Sequence, residues 1–340
     1  MRRLTRKRRT PTAASATPGP KGQRPLASPQ TDLALEAIDP DAPSDGIRVE
    51  SEREPGITVT RVRVLNQIGA ERIGKPPGTY ITIESPELRN RNREVEERVI
   101  ARLASELQRV TDLPPDAPVL IVGLGNWRAT PDALGPRVLE QVLVTRHLEN
   151  FVPANLRGGL RPVCALTPGV LGITGIETGE IIKGIVDRVR PHTVIAIDAL
   201  AARSLERIVT TIQIADTGIN PGSGVGNRRV AITPESLGVN VVAIGVPTVV
   251  HAMTIANDTL DLLLAKYRER KAPASCGELS QAERQRLLGE ALTHQFGNLM
   301  VTPKEIDLYI HEMARIVAAG INKALHPGLE NNDLAAALLS

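Results

Sequence analysis

The chain has 340 residues, and an apolar content of 41% is enough to build a buried core for one large or two modest domains. Aromatic residues make up only 2%, which argues against a protein that stacks single-stranded nucleic-acid bases on its rings. The net charge of +3 combines +7 over residues 1–32 with −4 over the remainder, which holds 33 basic and 37 acidic residues, so the basic character belongs to an N-terminal arm.

Residues 1–30 are rich in Arg, Pro, Ala and Ser and show no hydrophobic period, so we predict a disordered arm. A flexible tail that touches nucleic acid electrostatically is one interpretation of it. Neither a secretory h-region nor an apolar stretch near the ~20 residues of a membrane span is present. The two cysteines, Cys164 and Cys276, lie far apart without metal-ligand spacing, which favours a reducing cytoplasm.

Apolar residues first recur at Thr31–Glu36, after which the chain becomes β-like. Residues 57–64 alternate as a half-buried strand does, and 79–83 form a second strand. Residues 90–110 predict an amphipathic helix, and a Pro-rich connection follows at 112–118.

From residue 119 onward, strand and helix alternate. Strands are predicted at 119–122, 161–166, 193–197, 211–215 and 241–246, and helices at 133–148, 179–189 and 249–268. This order predicts an α/β fold, a mostly parallel sheet with helices on both faces. Residues 270–300 are polar and weakly patterned, which indicates an excursion from a core at about 115–268. A final helix is predicted over 302–326, where Thr302-Pro303 opens it.

The segment 119–136 joins a strand to a helix through a sharp turn. Its apolar strand ends at a Gly pair, Thr130 is a candidate N-cap, and Pro131 fits the first helical position. Asp132 then falls in the first turn of the predicted helix. In open α/β sheets, ligands and chemistry gather at this edge of the sheet.

Asp198 follows the apolar strand 193–197 in the same way. If the two strands are parallel neighbours, Asp132 and Asp198 emerge at one edge. Two close carboxyls in a partly dry crevice share a proton, so one can act as base on a water while the other acts as acid. Such a pair needs no metal and no covalent intermediate. The alternatives are that Asp132 only complements a helix dipole and that Asp198 only caps a turn.

Other chemistries find weaker support in the sequence. The Gly-rich loop 220–227 lacks the dinucleotide spacing and the Walker lysine, so we expect a mobile loop at the rim of the sheet. The six histidines form no metal-binding pair, and no nucleophile elbow is present. Ser223 has no evident histidine partner, and Cys164 sits in a strand-like run. We therefore expect neither a metal nor a cofactor.

Many segments resemble the germination protease family of endospore-forming bacteria. They are LIVGLGNW at 120–127, TPDALGP at 130–136, LVTRHL at 143–148, PGV at 168–170, GITGIET at 172–178, AIDALAAR at 196–203, DTGI at 216–219, PGSGVGN at 221–227, IGVPTVV at 244–250 and NLMVTPKE at 298–305. The resemblance covers roughly residues 30–326.

The resemblance implies an atypical aspartic endopeptidase that degrades small acid-soluble DNA-binding spore proteins during germination. It implies a homotetramer that is made as a self-processing zymogen in the cytoplasm of the forespore. The implied fold is a three-layer α/β sandwich similar to the hydrogenase-maturation protease fold, with added β-rich and helical segments. The family's catalytic aspartates fall on Asp132 and Asp198. Its cleavage segment resembles 31–36, with the cut between Asp32 and Leu33, so residues 1–32 form a propeptide and 33–340 the protease domain. The mature body is expected to bind neither nucleic acid nor membrane.

The sequence departs from the family in two places. The arm is longer and richer in Arg, and His251 stands where an acidic residue is expected, which argues against a third acidic participant there. Two alternatives stay open: a metal-dependent maturation-type protease on the same fold, and a DNA-associated spore protein with a basic arm.

Overall fold

A computed structural model describes residues 31–38, 45–150, 160–222, 229–269 and 299–327. The helices are α1 (Gln67–Ile73), α2 (Arg93–Thr111), α3 (Leu134–Leu139), α4 (Leu171–Thr174), α5 (Thr178–Val189), α6 (Pro234–Leu237), α7 (Ala252–Glu269) and α8 (Ile306–Leu325). The strands are β1 (Ile47–Glu54), β2 (Ile57–Val64), β3 (Gly78–Glu84), β4 (Val119–Gly123), β5 (Val163–Leu166), β6 (Thr193–Ala202), β7 (Thr211–Ala215), β8 (Asn240–His251) and β9 (Met300–Val301). Among these residues, no helix is both long and apolar enough to cross a bilayer.

The strands form one mixed sheet in the order β1-β2-β3-β7-β8-β6-β4-β5, with β9 beside β8. The predicted α/β class is confirmed, but the expectation of a mostly parallel sheet is wrong. Within the described ranges, five of eight strand pairings are antiparallel, and only β8-β6-β4-β5 run parallel. The reason is local at one edge: two residues, Pro55 and Gly56, connect β1 to β2, and so short a link permits only an antiparallel pair.

Helices cover both faces of the parallel part of the sheet. In β4, Val119 and Ile121 join the core formed with α2 and α8, whereas Leu120 and Val122 pack with α5 and α6 on the other face. Successive residues of a strand point to opposite faces, so a strand buried on both sides is apolar throughout. This explains the unbroken apolar run that the sequence showed.

Several element boundaries differ from those predicted. The helix expected over 133–148 ends at Leu139, because Asn322 of α8 accepts and donates hydrogen bonds along the following segment and Thr145 bonds to Val163 of β5. The final helix starts at Ile306 rather than at Thr302. Residues 1–30 of the arm and 270–298 of the excursion lie outside the described residues, and so do predictions about them.

Strands β6 and β8 are longer than predicted. They pair from Thr193↔Asn240 to Ala202↔Val250, with an irregularity after Leu200. Asp198 therefore lies within a strand and does not cap a turn. His251 belongs to the end of β8, where it pairs with Met300, and not to helix α7.

Candidate active site

Asp132 and Asp198 line one cavity of about 250 Å³ beyond the carboxyl end of β4. Strands β4 and β6 are parallel neighbours, with Gly123 opposite Ile197, so the condition for bringing both carboxyls to one edge is met. Most of the motif segments also contribute to this cavity, through Leu124, Gly125, Pro131, Val170, Thr178, Pro221, Gly222, Thr248, Val249 and Met300.

The turn after β4 holds Asp132 in place. Residues Thr130–Asp132 form a single 3-10 turn before α3, so Thr130 is not the N-cap that the sequence predicted, and no side chain caps the turn. The Asn126 N–H donates to Asp132 Oδ2 at 2.7 Å. The Gly125 backbone, at φ +110°, lies so close to the Asp132 backbone that a Cβ on residue 125 would be 1.9 Å from the Asp132 carbonyl oxygen. Only glycine allows both this backbone angle and this approach.

Burial raises the pKa of the Asp132 carboxyl, and the Asn126 hydrogen bond and the positive charge of Arg229 oppose that shift. The carboxyl is thus easier to protonate than an exposed aspartate, although its partners still stabilise the ionised form.

Asp198 is almost completely buried in the centre of β6, at 6% exposure. Burial raises its pKa well above the usual value, and the negative charges of Asp132 and Asp32 raise it further. The N–H of Ala199 donates to Asp198 Oδ1 at 2.9 Å and partly offsets this. The two aspartates therefore favour a state in which one carboxyl holds a proton and the other is ionised.

A third carboxyl, Asp32, lines the same cavity. Its N–H donates to the Ala201 carbonyl at 3.0 Å, and its Oδ2 accepts from the Ala201 N–H at 2.9 Å. Leu33 and Ala34, the next residues, are fully buried. The bond between Asp32 and Leu33, which the family resemblance implies as the cleavage site, thus lies at the rim of the Asp132/Asp198 cavity. The sequence did not indicate that the Asp32 carboxyl joins the pair, because only tertiary contacts bring it to β6.

Glu36 anchors this segment from the other end. Its carboxylate accepts from the backbone N–H groups of Arg203 and Ser204 at 2.7 and 3.0 Å and pairs with the Arg207 guanidinium at 3.0 Å. Thr31 Oγ1 also donates to Glu36 and accepts from the Leu33 N–H. Because charged groups with partners of opposite charge hold position well, residues 31–36 are fixed beside β6, with Asp32 at the cavity.

The cavity also contains one cation that sequence reasoning missed. Arg229 follows the Gly-rich loop, and its charge lowers the pKa of both Asp132 and Asp198. Its Nη1 is buried and has no hydrogen-bond partner among the described residues. Residues 223–228 lie outside the described residues, but Pro221 and Gly222 line the cavity, so the loop begins at the rim of the site.

Comparison with known proteins gives the family. The sequence profile of germination protease matches residues 35–273 and 269–337. A germination protease from Caldanaerobacter subterraneus subsp. tengcongensis is 51% identical over 312 residues, which are 90% of this chain and 96% of the relative. Those of Clostridium acetobutylicum and Bacillus mycoides are 45% and 42% identical, with 91% of this chain covered and 98% and 96% of the relatives.

The chain belongs to the germination protease family. The resemblance read from the motifs is thereby confirmed, and membership places the chain among the proteases, which hydrolyse peptide bonds.

Of the other candidates within the described ranges, neither Cys164 nor any histidine lines the cavity, and Ser223 lies outside the described residues. His251 ends β8, and His326 is buried beside Arg161, whose N–H donates to His326 Nδ1 at 3.3 Å. Burial lowers the pKa of His326 to about 4, so it is a neutral structural histidine. Within the described ranges, no group of three or more His, Cys, Asp or Glu side chains is arranged to hold a metal ion.

Proposed function

We propose that the chain is an aspartic-type endopeptidase whose water is activated by Asp132 and Asp198. The observation that carries the proposal is the placement of both carboxyls, with raised pKa values, in one cavity that Asp32, the residue before the proposed cleavage bond, also lines. The family supports the protease activity, and the buried pair supports the aspartic type.

The two carboxyls have different roles in this mechanism. Asp198, the more deeply buried, holds the shared proton, and Asp132, with its Asn126 and Arg229 partners, is ionised. Asp132 removes a proton from the water as the water oxygen bonds to the carbonyl carbon. Asp198 then gives its proton to the leaving nitrogen as the carbon–nitrogen bond breaks, and the proton taken up by Asp132 passes to Asp198 before the next turnover.

The same cavity supports self-processing of a zymogen between Asp32 and Leu33. Asp32 lines the cavity, and the hydrogen bonds of Asp32 with Ala201 and of Glu36 with Arg203 hold the segment beside β6. Removal of residues 1–32 would convert a chain of net charge +3 into one of −4. We infer that the arm blocks the crevice until this cut, so a chain that starts at Leu33 should cleave substrate without processing.

The substrates and the setting follow from the family resemblance. Small acid-soluble spore proteins are the proposed substrates, and the relatives from Bacillus and Clostridium support a place in the forespore. The homotetramer and the similarity to the hydrogenase-maturation protease fold stay predictions. Leu262 and Leu263, exposed on α7, offer apolar surface for an assembly, which sedimentation would detect.

The test is Asp132→Asn and Asp198→Asn, assayed for self-cleavage of the full chain and for cleavage of a small acid-soluble spore protein. Asp187→Asn is the matched control, because Asp187 is exposed on α5 and lies outside the cavity. Both site variants should lose activity, and the control should keep it. Full activity in either site variant removes that residue from the mechanism. Loss of wild-type activity in EDTA would favour the metal-dependent alternative, and salt-dependent DNA binding without proteolysis the DNA-associated one.

A further inference from the structure

Two side-chain donors meet at the carbonyl oxygen of Asp32. Lys75 Nζ donates to it at 3.0 Å and Gln213 Nε2 donates to it at 3.2 Å. This carbonyl belongs to the peptide bond between Asp32 and Leu33. The two donors come from distant parts of the chain, since Lys75 follows α1 and Gln213 lies in β7, and they converge on this one oxygen.

The two donors are buried to different degrees. Gln213 is 7% exposed in the middle of the sheet, and its Oε1 accepts from the Ala34 N–H at 2.8 Å. Its side-chain amide therefore hydrogen-bonds to the peptide on both sides of Leu33, at the Asp32 carbonyl and the Ala34 N–H. Lys75 is half-buried, and its Nζ also lies 3.4 Å from the Thr31 carbonyl.

The donors and the aspartate pair approach the peptide from different sides. A second cavity, of about 80 Å³, is lined by Lys75 and Gln213 and not by Asp132, whereas the larger cavity is lined by Asp132 and by neither donor. Asp32 and Asp198 line both. A water between the aspartates would thus attack from the side of the larger cavity, while the carbonyl oxygen points to the smaller one.

We propose that Lys75 and Gln213 form the oxyanion-binding pair of this protease. The inference rests on the proposed endopeptidase function and names residues that the aspartate mechanism leaves out. In hydrolysis, the water oxygen bonds to the carbonyl carbon, and the π electrons move to the carbonyl oxygen, which becomes an oxyanion between the two donors. When the carbon–nitrogen bond breaks, that electron pair returns to form the carbonyl, and the nitrogen takes a proton from the carboxyl pair.

Donors of this kind act mainly on the transition state. The negative charge on the oxygen exists only after attack, so hydrogen bonds to it strengthen during the reaction. Removal of one such donor lowers kcat by about 100-fold or more and leaves KM almost unchanged. A residue that only anchors the segment would change KM or folding stability instead.

The experiment compares Lys75→Met and Gln213→Glu with the wild type. Gln213→Glu keeps the shape and the acceptor for Ala34 but replaces the Nε2 donor with a carboxylate oxygen, whose negative charge opposes an oxyanion. Lys183→Met, an exposed lysine of α5, is the control for loss of a lysine charge. The self-cleavage rate of the full chain and kcat and KM of the processed enzyme on a peptide of residues 27–36 are measured, with the melting temperature of each variant.

We expect kcat and the self-cleavage rate to fall about 100-fold in both site variants, with KM within a few-fold of wild type and the control unaffected. A site variant that folds and keeps the wild-type kcat overturns the inference, and so does a variant whose only change is in KM. If Lys75→Met does not fold, Gln213→Glu decides. Failure of the proposed function looks different, because the wild type and Lys183→Met then do not cleave the peptide at all.

Discussion

Replacing Gly125 with alanine tests how closely the turn after β4 must hold the Asp132 carboxyl. A Cβ at position 125 would lie 1.9 Å from the Asp132 carbonyl oxygen and 3.3 Å from Asp132 Oδ1. Because Cβ atoms essentially never come within 3.0 Å of another heavy atom, the 3-10 turn that carries Asp132 must move by about 1 Å.

The structure sets the size of the expected effect. A displacement of ~1 Å at a catalytic group costs on the order of 100-fold in rate, so we expect kcat to fall by about that factor. The backbone adds a second penalty, because φ at Gly125 is +110°, where an alanine costs on the order of 1–3 kcal/mol. The variant should therefore be slower and also less stable.

Gly238→Ala separates these two effects. Gly238 also has a positive φ, +75°, but a Cβ there would have no atom within 4 Å. It should lose about 1–2 kcal/mol of unfolding free energy and keep the wild-type kcat. Urea unfolding and peptide cleavage measure both quantities in both variants. A Gly125→Ala enzyme with wild-type kcat would refute the claim that this turn positions Asp132 for catalysis.

Three further outcomes are expected. Asp198 has a folded-state pKa above its unfolded value of 3.8, so the unfolding free energy falls as the pH rises from 3.8 through the folded pKa. Asp198→Asn should remove this loss of stability. The melting temperature of the variant minus that of the wild type should therefore increase from acidic to neutral pH, and a difference that is the same at every pH would contradict the prediction. Thr31→Val removes the acceptor of the Leu33 N–H and the donor to Glu36, so self-cleavage should slow about 10-fold, while peptide cleavage by the processed enzyme, which lacks Thr31, should not change. Leu103→Ala removes a buried side chain of α2 that packs against Gly320 of α8. It should lower the unfolding free energy by about 2–5 kcal/mol, as measured by urea unfolding, with kcat unchanged.

The sequence predicted the parts of the site that depend on local patterns. Strand β4 is an apolar run that ends in glycine, and both the run and the turn after it were readable without a structure. Asp132 and Asp198 were candidates because each follows such a run, and the motif segments named the family. Thr178–Val189 and Thr211–Ala215 also agree with their predicted elements to within one residue.

Only the tertiary structure decided which strands are neighbours and how far they extend. The pairing of β6 with β8 continues to Ala202, which turns Asp198 from the end of a strand into its buried centre and raises its pKa. Helix α3 stops early because the backbone N–H groups of Leu143 and Thr145, which would continue it, donate to Asn322 and Val163 instead.

Asp32 shows most clearly how tertiary structure shapes the candidate site. From sequence it was one side of a cleavage bond, but in the fold its carboxyl joins Asp132 and Asp198, and its carbonyl oxygen meets Lys75 and Gln213. No local pattern encodes these meetings, because they join residues far apart in the chain through hydrogen bonds and burial. Sequence patterns thus determined the elements and the aspartate candidates, and long-range pairing in the sheet determined the environment that sets their chemistry.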